Sequence, residues 1–208
     1  MTVWTSKQPA SWSNVVLAGV GAAWSAFLLP PQLLTWSGSG APDWADRLAG
    51  ASPYRAIRRV AATQGVFDDY ALFGSLVAPS FLVIGLALWR ALGSTGRWTR
   101  IMAIVTMLGT PIVILSYTGH AATGLWRSFW GTEIFVLLAI GLCAIPASIL
   151  AYQHGRLAGW RFGLLISTLL VLITSTVLLT YWPHGTLVGY GIEVALLAAP
   201  SMRPTPPG

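Results

Sequence analysis

Apolar residues run along this chain in long blocks and do not alternate with polar ones. Five blocks each come close to the roughly 20 residues that a helix needs to cross hydrocarbon: Asn14 to Leu34, Tyr70 to Trp89, Ile101 to Thr118, Thr132 to Tyr152 and Phe162 to Trp182. A sixth stretch, Thr186 to Ser201, is shorter and contains Glu193. Such a stretch spans with local thinning or lies partly inside a bundle. The pattern predicts an all-α fold, a polytopic transmembrane helix bundle with five to six spans, forming a single integral membrane domain over residues 1–208. The first block is expected to end at Pro30-Pro31, where two backbone donors are missing. Lys7 precedes it in the manner of a signal peptide. No small-x-small cleavage pattern follows, so the block is read as a retained helix. Pro79, Pro111 and Pro146 fall inside the second, third and fourth blocks. Each is expected to kink its helix, and three kinked neighbours would leave a cavity between them.

The only long connection is the extramembrane loop 35–69. It starts with the flexible run Ser37-Gly38-Ser39-Gly40-Ala41-Pro42. Ser52-Pro53 then offers a helix start. Beyond it, Tyr54, Ile57 and Val60 repeat at helical spacing, with Arg55, Arg58 and Arg59 on another face. That is the signature of a short helix lying among lipid headgroups. The proline-rich tail 203–208 is expected to be disordered.

Composition strengthens the membrane reading. Only 9% of residues are charged and 55% are hydrophobic, against about 25% charged in a soluble domain. The lipid bilayer is therefore the main partner. The eleven tryptophans suit its boundary with water. A single cysteine, Cys143, excludes an internal disulfide and a C-x-x-C redox pair. The net charge of +6 comes from eleven arginines and Lys7. In a membrane chain this excess sets topology, and nucleic acid is not an expected partner.

The connections alternate sides. Lys7, Arg90, Arg97, Arg100, Arg156, Arg161 and Arg203 fall on one side, and Arg47, Arg55, Arg58, Arg59 and Arg127 on the other. The richer side is expected to be cytoplasmic, in a bacterial cytoplasmic membrane. The acids are more lopsided. Asp43, Asp46, Asp68, Asp69 and Glu133 lie in or beside the outer connections, and Glu193 is expected a few residues from that same side. His120, His184 and most of the boundary tryptophans join them.

Several of these residues have two readings. Glu133, at the start of the fourth block, is either an acid placed to suit a helix N-terminus or a pocket carboxyl among aromatics, able to donate a proton. Glu193 either pairs with an arginine or works chemically, since an acid between Ile192 and Val194 in an apolar stretch is costly. Asp68 and Asp69 either cap the second block or hold a metal–diphosphate. The longer aspartate-rich motifs of membrane prenyltransferases are missing, so neither a metal nor a cofactor is expected. His120 and His184 are boundary histidines, acid–base groups or a pair of haem ligands. Tyr117, Trp126, Trp130, Tyr181, Trp182 and Tyr190 gather on the acid-bearing side as either interfacial belt or substrate-binding wall. Aromatic faces stabilise cations, and acids beside aromatics in an apolar pocket are what carbocation chemistry requires.

The segment Phe129-Trp130-Gly131-Thr132-Glu133-Ile134-Phe135, then Tyr152, then Tyr190-Gly191-Ile192-Glu193 resembles two groups of small polytopic enzymes. One is the membrane-bound terpene cyclases of meroterpenoid and indole-terpenoid pathways. The other is the sterol isomerases of the emopamil-binding-protein type. The resemblance covers the C-terminal half and rests on layout. It implies a metal-free cyclase or isomerase that protonates a lipophilic prenylated substrate, with intramembrane catalytic acids that match only Glu133 and Glu193 here. Asp68 and Asp69 stand behind them, and His120 and His184 as acid–base groups, on the reading of the residues alone. The competing expectations are a transporter or accessory membrane subunit, and a small di-histidine cytochrome.

Overall fold

The structure, a computed structural model, describes residues 11–157 and 159–200. Lys7, Arg203 and the tail 203–208 lie outside them. The described residues form ten α-helices: α1 Trp12–Ser37, α2 Asp43–Ala49, α3 Ser52–Thr63, α4 Asp69–Ser75, α5 Ala78–Leu92, α6 Arg97–Gly119, α7 Glu133–Gln153, α8 Trp160–Ile166, α9 Thr168–Leu179 and α10 His184–Ala198. Two 3-10 turns, Gly38–Gly40 and Gly124–Phe129, complete the set. No strand occurs among the described residues. Among the described residues, four stretches, Trp12–Gly40, Asp69–Leu92, Arg97–Gly119 and Gly124–Gln153, are long and apolar enough to cross a membrane, and α8 with α9 makes a fifth if that bent pair is one span. The fold is an all-α helical bundle and the chain is an integral membrane protein, with α10 as a shorter apolar helix packed mainly on α1 and α9.

Of three expectations about these spans, two need correction. First, α1 does not end at Pro30-Pro31; it runs through both to Ser37. Pro31 leaves the Phe27 carbonyl without its helical donor, and Tyr54 of α3 supplies one, its hydroxyl donating to Phe27 O at 2.5 Å. Burial pushes the Tyr54 phenol up from its usual range, so its proton is retained for that bond. Second, and as expected, the helix of the second span is interrupted at Pro79: α4 ends at Ser75, α5 begins at Ala78 with Pro79 in its first turn, and the whole stretch Asp69–Leu92 remains of membrane length. Ser80 N–H turns to Val77 O, and the Leu76 carbonyl so released accepts the Trp24 indole N–H at 2.6 Å. Third, the fifth span is not one rod: α8 and α9 meet at 64°. Prolines in α1, α6 and α7 stay inside continuous helices. The cavity that holds the candidate site lies at one end of the bundle and is lined by none of Pro79, Pro111 and Pro146.

The long loop carries two helices. In α3, Pro53 sits in the first turn as expected, although Ala51 occupies the cap position and Ser52 makes no capping bond. Tyr54 is buried and Ile57 packs on the core, while Val60 is exposed, so the expected apolar face is narrower than the sequence suggests. Arg58 Nε donates to Asp69 Oδ2 at 2.6 Å and its guanidinium lies over the Phe73 ring, tying α3 to α4.

Contacts between connections fix the alternation. Arg156 donates to Ser94 O and Thr95 O at 3.1 and 2.8 Å, and Arg161 donates to Ala199 O. These arginine-bearing connections therefore share one end. At the other end Trp36, Tyr70, Trp130 and Tyr181 meet around one cavity. This gives a topology prediction. Cysteine at exposed Ser39 is expected to react with an impermeant thiol reagent in intact cells, and cysteine at exposed Ser94 is not. The opposite labelling would invert the orientation and place the acids on the side where prenylated substrates are made.

Candidate functional site

The cavity is built from helix ends. Trp36 comes from the last turn of α1, Tyr70 from the first of α4 and Glu133 from the first of α7. Trp130 and Gly131 precede α7, and Thr180, Tyr181 and Trp182 link α9 to α10. Together they enclose about 230 Å³, a little below the ~300 Å³ lower end for small-molecule pockets.

Glu133 is the acid of this cavity and is 3% exposed. Its Oε2 accepts from Ser116 Oγ on α6. Ser116 Oγ in turn accepts the Gly131 N–H at 2.9 Å. That relay depends on Gly131, whose φ of 84° is in the left-handed region that glycine enters without a Cβ clash. The carboxyl is thus held by one hydroxyl and has no cationic partner among the described residues. Both readings of Glu133 describe its position: it lies in the first turn of α7, where the helix dipole favours it, and it faces aromatic rings.

The aromatic wall is a connected network. Trp36 stacks on Tyr70 at 6.1 Å between centroids and meets Tyr181 edge-on at the same distance. The Tyr70 ring packs on Tyr117 at 5.1 Å and on His120 at 4.4 Å. Tyr181 and Tyr117 share a hydroxyl–hydroxyl bond of 3.0 Å, and Gln32 Nε2 donates to Tyr181 OH at 2.8 Å. The Trp130 indole N–H donates to Tyr70 OH at 3.3 Å, with Arg127 over its ring. Thr180 holds φ at 55°. A β-branched residue rarely adopts this conformation, and such strain is found most often at working sites.

The sequence-derived residues divide into three groups. Glu133, Trp130, Tyr181 and Trp182 line the cavity, and Tyr117, His120 and His184 stand behind its wall. Glu193 and Tyr190 lie elsewhere. Glu193 is the tenth residue of α10, so helical rise puts it ~13 Å below the end that carries His184. It is therefore not a few residues from the acid-bearing side. It bonds Thr168 and pairs with no arginine among the described residues. Tyr190 is bonded to Thr106 at 3.0 Å in that deeper layer. Trp126 does not reach the cavity; it is exposed and packs on Phe129 in the 3-10 turn.

The two aspartates have structural roles. Asp68 Oδ1 caps α4, accepting from Tyr70 N and Ala71 N at 2.9 and 3.2 Å, while Asp69 pairs with Arg58. Neither lines the cavity. His120 packs on Tyr70, Tyr70 on Tyr117 and Tyr117 edge-on to His184, so two tyrosine rings stand between the histidines. His184 is fully buried, and its Nε2–H donates to Phe73 O at 3.1 Å.

Trp36, Tyr70, Ser116 and Gln32 were not singled out as site residues by the sequence. Gln32 carried a signal, being a fully buried amide inside the apolar run Leu29-Pro30-Pro31-Gln32-Leu33. Comparison with protein families, with curated proteins and with solved structures gave no match.

Proposed function

We propose that this protein is a membrane-embedded acid–base cyclase or isomerase that acts on a lipophilic prenylated substrate through a carbocation, in a bacterial cytoplasmic membrane. The observation that carries this reading is a buried carboxyl, Glu133, opening on a cavity walled by Trp36, Tyr70, Trp130, Tyr181 and Trp182. A carboxylic acid shielded from water can protonate an alkene or epoxide. The surrounding π faces then hold the cation until a base removes a proton. Glu133 donates the proton and Ser116 fixes its direction.

An entry route for the chain of such a substrate supports the same reading. Trp182 also borders a second cleft of about 240 Å³, which lies between α7 and α9 and is lined by Leu137, Leu138, Leu169, Leu172 and Ile173. Its two threonines, Thr176 and Thr186, bond each other at 2.6 Å, so the cleft presents carbon to its occupant. In this reading an isoprenoid chain would lie in that cleft and pass Trp182 to bring its reactive end to Glu133.

The test is conversion of a farnesyl-bearing aromatic alcohol and of its terminal epoxide by purified protein in bilayer discs. Turnover is expected to persist with a strong chelator present, because protonation by a carboxylic acid needs no divalent ion. Activity abolished by chelator and restored by magnesium would move the chemistry to Asp68 and Asp69 and overturn the proposal.

A further inference from the structure

The joint between α8 and α9 sits against a second buried carboxyl. Glu193 is 2% exposed, and Thr168, the first residue of α9, is fully buried. Glu193 Oε1 lies 2.6 Å from Thr168 Oγ1, and the same hydroxyl lies 2.7 Å from Leu165 O. A threonine hydroxyl has one hydrogen to give. A backbone carbonyl only accepts, and so does an ionised carboxylate. With Glu193 ionised, one of these two close contacts would set acceptor against acceptor, and the charge would lack any further partner, since Oε2 has none. With a proton on Oε1 the chain is complete: Glu193 donates to Thr168 and Thr168 donates to Leu165 O. The unpartnered Oε2 is then a neutral carbonyl oxygen, which costs far less to bury than a charge.

Among the described residues, no neighbouring charge alters this count. Helices α1 and α9, packed on α10, hold no titratable side chain; α5 offers only Arg90, which is exposed at its C-terminal end and makes no ion pair with Glu193. Arg161 of α8 is engaged with Ala199 O. The other titratable groups nearby are Tyr190, bonded to Thr106, with Cys143 beside it, and His184 a helix length away, bonded to Phe73 O. None is a cation facing Glu193.

We propose that Glu193 is a proton-binding site in the interior of the bundle, separate from the Glu133 cavity, and that the proton it holds fixes the joint between α8 and α9. On losing it, the carboxylate would draw the Thr168 hydroxyl away from Leu165 O and attract the free N–H groups that open α9. The 64° bend would then lose the Thr168–Leu165 bond that joins its two arms. An intramembrane acid at the start of a broken helix is an arrangement suited to taking up and releasing protons.

The test is infrared spectroscopy of the full chain in bilayer discs at neutral pH. A protonated carboxyl gives a C=O stretch apart from the amide bands. Glu133, as a proton donor, contributes a band of its own, so each of Glu133→Gln and Glu193→Gln is expected to lose part of the wild-type signal and the double variant all of the part due to these two acids. Glutamine still offers Thr168 a donor, so Glu193→Gln is expected to melt close to wild type. Identical carboxylic bands in wild type and Glu193→Gln would overturn the proposal. Should that variant fail to fold, wild type is treated with dicyclohexylcarbodiimide, which adds to protonated carboxyls in apolar surroundings. One adduct on the peptide containing Glu193, fading as pH rises, is expected; an unmodified peptide would overturn the proposal.

Discussion

Glu133→Gln is expected to lower turnover of a prenylated substrate by at least about a hundredfold, the lower end of what a positioned acid–base group contributes. Glutamine preserves shape and can still accept the Ser116 hydroxyl through its carbonyl oxygen. It cannot release a proton to carbon. Expression and melting temperature are expected to change little. A purely structural Glu133 gives a different result. Removing its charge from the first turn of α7 would cost about 0.3–1 kcal/mol through the helix dipole and leave turnover intact. Full activity with lowered stability in this variant would refute the catalytic assignment.

Gly74→Ala is expected to damage the fold and the site together. A Cβ at position 74 would overlap the Tyr117 ring. That ring is 1% exposed, packs on Tyr70, and its hydroxyl is bonded to Tyr181. It has nowhere to go without releasing Tyr181 from the cavity wall. Overpacking of this kind costs about 1–3 kcal/mol, seen as a lowered melting temperature, and turnover is expected to fall with it. The control is Gly163→Ala in α8, where an added Cβ meets nothing within 4 Å. There the helix gains propensity, and stability is expected to hold or rise. Equal effects at the two positions would contradict the close approach of α4 to Tyr117.

How much of this was readable beforehand follows from what each residue's neighbours contribute. Spans could be read because hydrocarbon thickness sets a length that apolar blocks must match. The continuation of α1 past Pro30 and Pro31 could not. It depends on Tyr54, 27 positions from Phe27, replacing the missing donor. Nor could the break in the fifth span, which contains neither proline nor glycine at Ser167 and Thr168. Both hydroxyls bond back to carbonyls three residues earlier, a competition with the helix ladder that bends helices.

The candidate site was half legible for a related reason. Trp130, Glu133, Tyr181 and Trp182 announce themselves as polar or aromatic residues at the ends of apolar blocks. Trp36 and Tyr70 look the same as any belt residue until α1 and α4 bring their ends together. Glu193 was readable as an anomaly, but its depth was not. That depth is set by where α10 starts, at His184 after the Trp182-Pro183 turn, and it separates Glu193 from the cavity acid with which the sequence grouped it.

The most direct measurement is conversion in deuterium oxide of a farnesyl-bearing aromatic alcohol whose terminal alkene must be protonated at carbon. The account predicts one solvent deuterium at that carbon in every product molecule made by wild type, and neither product nor incorporation above background with Glu133→Gln. Product formed at the wild-type rate without carbon-bound deuterium, or with equal incorporation in Glu133→Gln, would contradict it.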